Sequence, residues 1–156
     1  MKKVVGVLCA VLLTCLMLVS CNQEQRKVKE IEDISEKVVD YLKSKDYKVV
    51  FYKGKVLSRT ITEKDLTYMP YQTMWKLQKV NPQDYIGKKI ETYEVIVKNH
   101  VLDNAKDNNR KQTIVSVLVV DGEIIGGTSK PDYDDGLVRA GGFISLEGKS
   151  LGEINN

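Results

Sequence analysis

Residues 112–127 read QTIVSVLVVDGEIIGG, two apolar runs joined by Asp121-Gly122. An Asp-Gly pair between such runs is the strongest short-range signal for a β-hairpin, because both central residues of its tight turn need positive φ angles. The pattern therefore predicts strands over residues 112–120 and 123–127. It also places an antiparallel sheet at the centre of the fold.

Residues 90–102, which precede this hairpin, predict the longest strand. Their apolar side chains alternate onto one face, as Tyr93, Val95, Val97 and Val101, and polar ones onto the other, as Thr92, Glu94, Lys98 and His100. Glu94 is the one acid with an apolar setting, beside Val95 and Ile96, that would raise its pKa.

The remaining strand predictions lie at the two ends of the chain. Residues 47–52 and 55–61 flank Lys53-Gly54 and predict a second hairpin. Residues 137–146 predict a last strand, loosened by Gly141-Gly142. The polar stretches between strands, at 103–111 and 131–136, are predicted to be a loop and a turn.

Two helices are predicted. Residues 28–44 repeat apolar side chains at helical spacing, with charged residues on the opposite face. A second, shorter helix over residues 70–79 would begin at Pro70, after a capping-box pattern at Thr62–Asp65. The order α-β-β-α-β-β-β-β predicts a single small α+β domain. Its sheet is mostly antiparallel, and the N-terminal amphipathic helix and the short helix pack on one face.

The N-terminus has the three parts of a secretory signal: Lys2 and Lys3, an apolar run, and the ending Leu18-Val19-Ser20-Cys21. That ending resembles the lipobox of bacterial lipoprotein precursors. The resemblance implies that Cys21 receives a diacylglycerol and that a peptidase cuts before it. We therefore expect a signal peptide at 1–20, the lipidated cysteine and a polar tether at 21–27, and the domain at 28–156. The alternatives are an uncleaved membrane helix, an ordinary signal peptide cut elsewhere, and an apolar helix of a cytosolic protein.

Charge and cysteine content exclude several classes of protein. The chain carries +3, but Lys2 and Lys3 are the only charged residues of the first 20, so the remainder holds 22 basic and 21 acidic residues. A nearly neutral chain gives no electrostatic basis for binding nucleic acid. Cys9 and Cys15 leave with the signal peptide, so Cys21 remains without a disulfide partner and no thiol is left for catalysis.

Few residues suggest chemistry. His100 is the only histidine, no serine stands in a nucleophile-elbow motif, and zinc ligands are too few. The acidic turn Asp132–Asp135 is the one candidate for a hard cation, and a solvated turn explains it better. Gly126-Gly127 suggests a bulge or close backbone approach. We therefore predict no catalytic residue, no cofactor and no metal ligand, and expect a protein that is not an enzyme.

The aromatic residues Tyr68, Tyr71 and Trp75 cluster around the second helix. Such a cluster can close a thin core or form a recognition surface, and we expect core.

A further resemblance concerns the strands. Trp75, Tyr85-Ile86-Gly87-Lys88, residues 93–100, residues 121–127 and residues 145–151 together resemble small uncharacterised lipoproteins of low-GC Gram-positive bacteria. The resemblance implies a protein of the cell envelope and carries over no catalytic residue.

These observations favour a lipid-anchored binding or interaction protein on the extracytoplasmic side of the cell membrane. Its contacts would be the membrane, through acylated Cys21, and an envelope protein or a peptide laid along an edge strand. A carrier of a small ligand or ion is the alternative, and an envelope hydrolase a third.

Overall fold

The computed structural model describes Lys29 and residues 32–104, 110–133 and 142–155. Within these ranges five strands form one antiparallel sheet in chain order: β1 (Lys48–Thr60), β2 (Lys89–Lys98), β3 (Arg110–Val120), β4 (Glu123–Tyr133) and β5 (Ile144–Ser145). The helices are α1 (residues 32–43), α2 (Glu63–Thr67), α3 (Tyr71–Lys76) and α4 (Leu151–Ile154). Short 3-10 helices occupy Pro82–Tyr85 and Val101–Asn104. The predicted α+β class and antiparallel sheet are confirmed.

The β3–β4 hairpin forms as predicted. Asp121 and Gly122 have φ angles of 51° and 77°, the positive values that the tight turn needs. Strand β4 runs further than predicted, because its pairing with β3 continues to Asp132 and Tyr133. The start of the predicted turn at 131–136 is therefore strand, and residues 134–136 lie outside the described ranges.

The predicted hairpin around Lys53-Gly54 is wrong. Residues 48–60 form one continuous strand that pairs with β2 from Lys48↔Lys98 to Thr60↔Lys89. Gly54 does have a positive φ, 84°, but uses it next to a bulge in this strand, where an extra residue also demands unusual backbone angles. The Gly signal alone does not separate a bulge from a turn.

The alternation of β2 is confirmed for Tyr93, Val95 and Val97, all buried. It fails beyond Lys98, where the strand ends and Asn99 takes a φ of 68°. After this break the predicted environments are reversed. His100, predicted on the polar face, is buried, and Val101, predicted on the apolar face, is 57% exposed.

The sheet is covered on both faces along β3. Ile114, Leu118 and Val120 are buried on one face, and Val115, Val117 and Val119 on the other. The Leu118 face packs against α3 in a core that contains Ile61, Met74, Trp75, Ile90 and Ile125. If helices covered only the Leu118 face, then Val115, Val117 and Val119 on the opposite face, here called the Val117 face, would be exposed.

The second helix is confirmed in a shorter form, α3, and Pro70 lies at its N-cap rather than at its first helical position. The capping box predicted at Thr62–Asp65 opens a separate helix, α2, where the Thr62 amide donates to the Asp65 carboxylate at 2.7 Å.

The N- and C-terminal predictions extend past the described residues. Residues 32–43 are helical, and α1 from Lys37 onward belongs to the same compact unit as the sheet. Its predicted start at residue 28 lies outside the described ranges. Of the predicted last strand, residues 137–141 lie outside them and only Ile144–Ser145 pairs, with β4. None of the described helices is long and apolar enough to cross a membrane.

Candidate functional site

The outer edge of β1 is an open strand edge within the described part of the chain. Strand β1 is terminal in the sheet order, and the strands of the described ranges pair with it only through β2. An edge of this kind presents a row of backbone N–H and C=O groups that can pair with another chain. We call residues 48–60, with their outward side chains, the β1 edge.

Apolar side chains project from the β1 edge into solvent. Val50, Phe51, Val56 and Leu57 are 44%, 60%, 50% and 40% exposed. Val50 and Val56 are the extra residues at two of the three irregularities in the β1–β2 register. Bulges twist an edge strand and re-aim its side chains, which is how these valines avoid the core.

The charges of the β1 edge have one sign. The strand contains Lys48, Lys53, Lys55 and Arg59 and no acidic residue. The acids that face it belong to β2 and α2. Glu94 contacts Lys53 at 3.5 Å and Lys130 at 2.7 Å.

Glu91 repeats this arrangement and contacts Lys55 at 2.9 Å and Lys89 at 3.2 Å. Each of the two glutamates is thus shared by two lysines.

The pKa of Glu94 is lowered, the reverse of the sequence prediction. Partial burial disfavours the charged carboxylate, but the hydrogen bond from Lys130 and the positive charges of Lys130 and Lys53 outweigh it. The pKa of Glu91 is lowered in the same way, against its own burial, by Lys55, Tyr93 and Lys89. Sequence neighbours Val95 and Ile96 lie in the strand with Glu94, but the lysines reach it across the sheet.

Arg59 fixes the end of the β1 edge. Its guanidinium lies 2.7 Å from the Asp65 carboxylate and stacks over the Tyr71 ring, 3.9 Å from the ring centre. Arginine suits this position because its planar guanidinium can pair with a carboxylate and, at the same time, stack on an aromatic ring. The contacts tie β1 to α2 and α3.

His100 has a structural role. Its Nε2–H donates to the Leu146 carbonyl at 2.8 Å, and its Nδ1 accepts from the Leu102 amide at 3.1 Å. The Leu102 bond requires an unprotonated Nδ1, which assigns the neutral Nε2–H tautomer. Both ring nitrogens are occupied by backbone, so neither is available to activate a nucleophile.

Only part of the acidic turn proposed for a cation lies within the described residues. Asp132 pairs with Gln112 in the sheet, whereas Asp134 and Asp135 lie outside the described residues. Asp103 accepts from the His100 amide and from the Thr113 hydroxyl. Among the described residues no group of three or more His, Cys, Asp or Glu is arranged to hold a metal ion.

The glycine pair of β4 marks close packing, as predicted. A Cβ on Gly126 would overlap Gln78 Oε1, and one on Gly127 would lie 2.7 Å from the Ser116 carbonyl oxygen. The Gly127 amide donates to Gln78 Oε1 at 2.9 Å, so the close approach also makes a hydrogen bond.

The aromatic cluster divides between core and surface. Trp75 is 3% exposed and stacks on Tyr85, with ring centres 6.0 Å apart, and Tyr71 packs against the same core. Tyr68 is instead 68% exposed, next to Met69 at 70%.

The β1 edge was not among the sites predicted from the sequence. Its apolar residues fit an ordinary hairpin as well as an exposed edge, and only the structure shows that no described strand covers them. The available signal was four basic residues without an acid inside one strand. The lipobox residues Leu18, Val19, Ser20 and Cys21 lie outside the described ranges.

Comparisons with protein-family models, curated proteins and solved structures found no match.

Proposed function

We propose that this chain is a lipid-anchored interaction protein of the bacterial cell envelope, which binds an extended segment of a partner protein along the β1 edge. In this account residues 1–20 are removed, acylated Cys21 holds the protein on the extracytoplasmic side of the cell membrane, and the polar residues that follow act as a tether. The lipobox pattern at Leu18–Cys21 supports the anchor.

The observation that carries the binding role is the combination of an open strand edge with projecting apolar side chains. Proteins usually protect an edge strand by keeping it short, charged or covered. This one carries lysines and bulges, but it is 13 residues long and has four apolar side chains at least 40% exposed. An added strand would gain main-chain hydrogen bonds from the edge and apolar contacts from the side chains, which is the mode of β-augmentation.

The proposal includes a role for α1 in keeping the rest of the sheet closed. Val38 and Leu42 of α1 are buried, and Lys37 donates to the Gly122 carbonyl at 2.8 Å, in the β3–β4 turn. These contacts support α1 as the cover of the Val117 face. Covering the interior strands would leave β1 as the exposed border.

Affinity capture from native membranes tests the binding role. A tagged full-length chain is compared with the double variant Phe51→Ser/Leu57→Ser and with Lys43→Gln, a matched control on α1 whose side chain is 61% exposed. We expect a partner protein retained by the unmodified chain and by Lys43→Gln, and lost from the double variant. Equal capture by all three would exclude the β1 edge as the binding site.

The anchor is tested separately through Cys21→Ala. This change removes the only thiol that could be acylated at the predicted site, so acyl labelling and membrane retention should both disappear. Continued lipidation of the variant would refute the assignment of Cys21.

A further inference from the structure

We propose that the segment accepted by the β1 edge is acidic, with carboxylates directed to both faces of the sheet. This inference rests on the proposed binding role and names the chemistry of the partner. Its basis is the surplus of positive charge in the two groups of ion pairs that Lys53 and Lys55 of the β1 edge form with glutamates of β2.

The surplus lies at two places. Glu94 is shared by Lys53 and Lys130, and Glu91 by Lys55 and Lys89. One carboxylate neutralises one ammonium, so a formal charge of +1 remains at each place.

The two places lie on opposite faces of the sheet. Glu91 and Glu94 are three residues apart in β2, whose pairing with β3 runs without a register shift from Ile90 to Val97. Successive side chains of a strand point to opposite faces, so an odd spacing separates the two glutamates.

Strand β2 itself shows what pairs well beside β1. It sets two acids, three residues apart, against Lys53 and Lys55, with apolar residues around them. A strand added on the outer side of β1 would meet the same two lysines from the other direction. Opposite charges on neighbouring strands stabilise the pair and like charges destabilise it.

The same charges argue against a second copy of this chain as the occupant. Two β1 strands side by side would bring together strands that hold only positive charges, and β1 already has Lys48 opposite Lys98 in its pairing with β2.

A lipid bilayer is also disfavoured. Burying the β1 edge in hydrocarbon would leave the backbone groups of an open strand without partners, at a cost of several kcal/mol for each group. A peptide strand supplies those partners, and anionic lipid does not.

Binding of labelled peptides tests the proposal. The full-length chain is held by its anchor in nanodiscs of zwitterionic lipid, and fluorescence anisotropy follows peptides of about eight residues, a usual strand length. One peptide carries two glutamates three positions apart in a valine and threonine background. Two others carry glutamine or lysine at those positions.

We expect the glutamate peptide to bind about three- to ten-fold more tightly than the glutamine peptide, the gain typical of two exposed charge pairs. The lysine peptide should bind weakest. Lys53→Gln/Lys55→Gln should abolish the preference while leaving Lys130 with Glu94 and Lys89 with Glu91. Lys43→Gln should keep it.

Equal affinity for the glutamate and glutamine peptides would overturn the acidic assignment and leave the binding role standing. A preference that survives in Lys53→Gln/Lys55→Gln would overturn it as well. Failure of all three peptides to bind would overturn the inference, and membrane capture with Phe51→Ser/Leu57→Ser then decides the proposed function independently. The glutamine peptide is also tested in nanodiscs of anionic lipid. If it binds in zwitterionic nanodiscs but not in anionic ones, the β1 edge faces the bilayer, and the acidic assignment is overturned as well.

Discussion

Phe51 of β1 lies directly opposite Ile96 of β2 in the strand register, yet it is 60% exposed. Its neighbour Tyr52 lies opposite Val95, which is completely buried. Tyr52 thus borders a fully buried position, whereas the preceding position of the same strand is open to solvent and carries an aromatic side chain. Exposed aromatic residues are a common feature of recognition surfaces.

Replacement of Phe51 should leave the fold intact. Because Phe51 is mostly exposed, Phe51→Ser should change the free energy of unfolding by no more than about 0.5 kcal/mol, as at other surface sites. Val95→Ala, which opens a cavity in the core, should cost roughly 2 kcal/mol. Urea unfolding of both variants checks this, and a large loss for Phe51→Ser would show that the residue supports the fold.

Removal of the hydroxyl group should affect stability differently at Tyr52 and at Tyr47. The Tyr52 hydroxyl is buried and has no hydrogen-bond partner among the described residues, whereas the Tyr47 hydroxyl donates to the Leu146 carbonyl at 3.0 Å. Tyr52→Phe should therefore be neutral or stabilising, and Tyr47→Phe should cost about 1 kcal/mol. The pair is measured by urea unfolding, and an equal loss in both would mean that Tyr52 has a partner in solution.

Asp65 should stabilise the protein only above acidic pH. Burial disfavours its charge, but the bonds from the Thr62 amide and from Arg59 outweigh burial and lower the pKa below its ordinary value of 3.8. A lowered pKa gives stability that is present above that value and lost as the pH falls through the folded-state pKa.

Asp65→Ala should therefore cost about 1–2 kcal/mol at pH 7, through the lost cap and the lost partner of Arg59. The difference from the unmodified protein should shrink in acid well below the ordinary value of 3.8, as the pH falls through the lowered pKa of Asp65. A gap of the same size at pH 7 and in acid would contradict the assigned role of the Asp65 charge.

The glycines of the chain should differ in their tolerance of alanine. A Cβ at Gly127 would meet the Ser116 carbonyl and Leu146 at under 3 Å, so Gly127→Ala should cost roughly 1–3 kcal/mol. Gly142 has open space around its Cβ position, so Gly142→Ala is the matched control and should be neutral or slightly stabilising. Thermal unfolding compares the two variants. Equal midpoints would mean that the packing between β3 and β4 accommodates the added methyl group at little cost.

The sequence predicted the parts of the fold that depend on local rules. Asp121-Gly122 forces one kind of turn, and the alternation of Tyr93, Val95 and Val97 assigns one buried face, because neither depends on distant residues. The prediction at Gly54 is wrong because its positive φ suits both a turn and a bulge, and the choice depends on pairing with residues of β2 about 40 positions away.

The candidate site depends still more on long-range contacts. The burial of His100 follows from the Leu146 carbonyl, and the lowered pKa of Glu94 from Lys53 and Lys130. None of these partners is adjacent in sequence. The β1 edge likewise exists only because β1 takes the terminal position in the sheet order.

Site-specific photo-crosslinking in native membranes shows whether the β1 edge holds an acidic segment of a partner protein. A photoreactive residue replaces Phe51 in one full-length protein and Lys43 on α1 in the control, and adducts are sequenced by mass spectrometry. We expect an adduct at position 51, absent at position 43, whose crosslinked segment is an acidic stretch of a partner protein. Adducts to lipid alone at position 51, or equal protein adducts at both positions, would contradict this expectation.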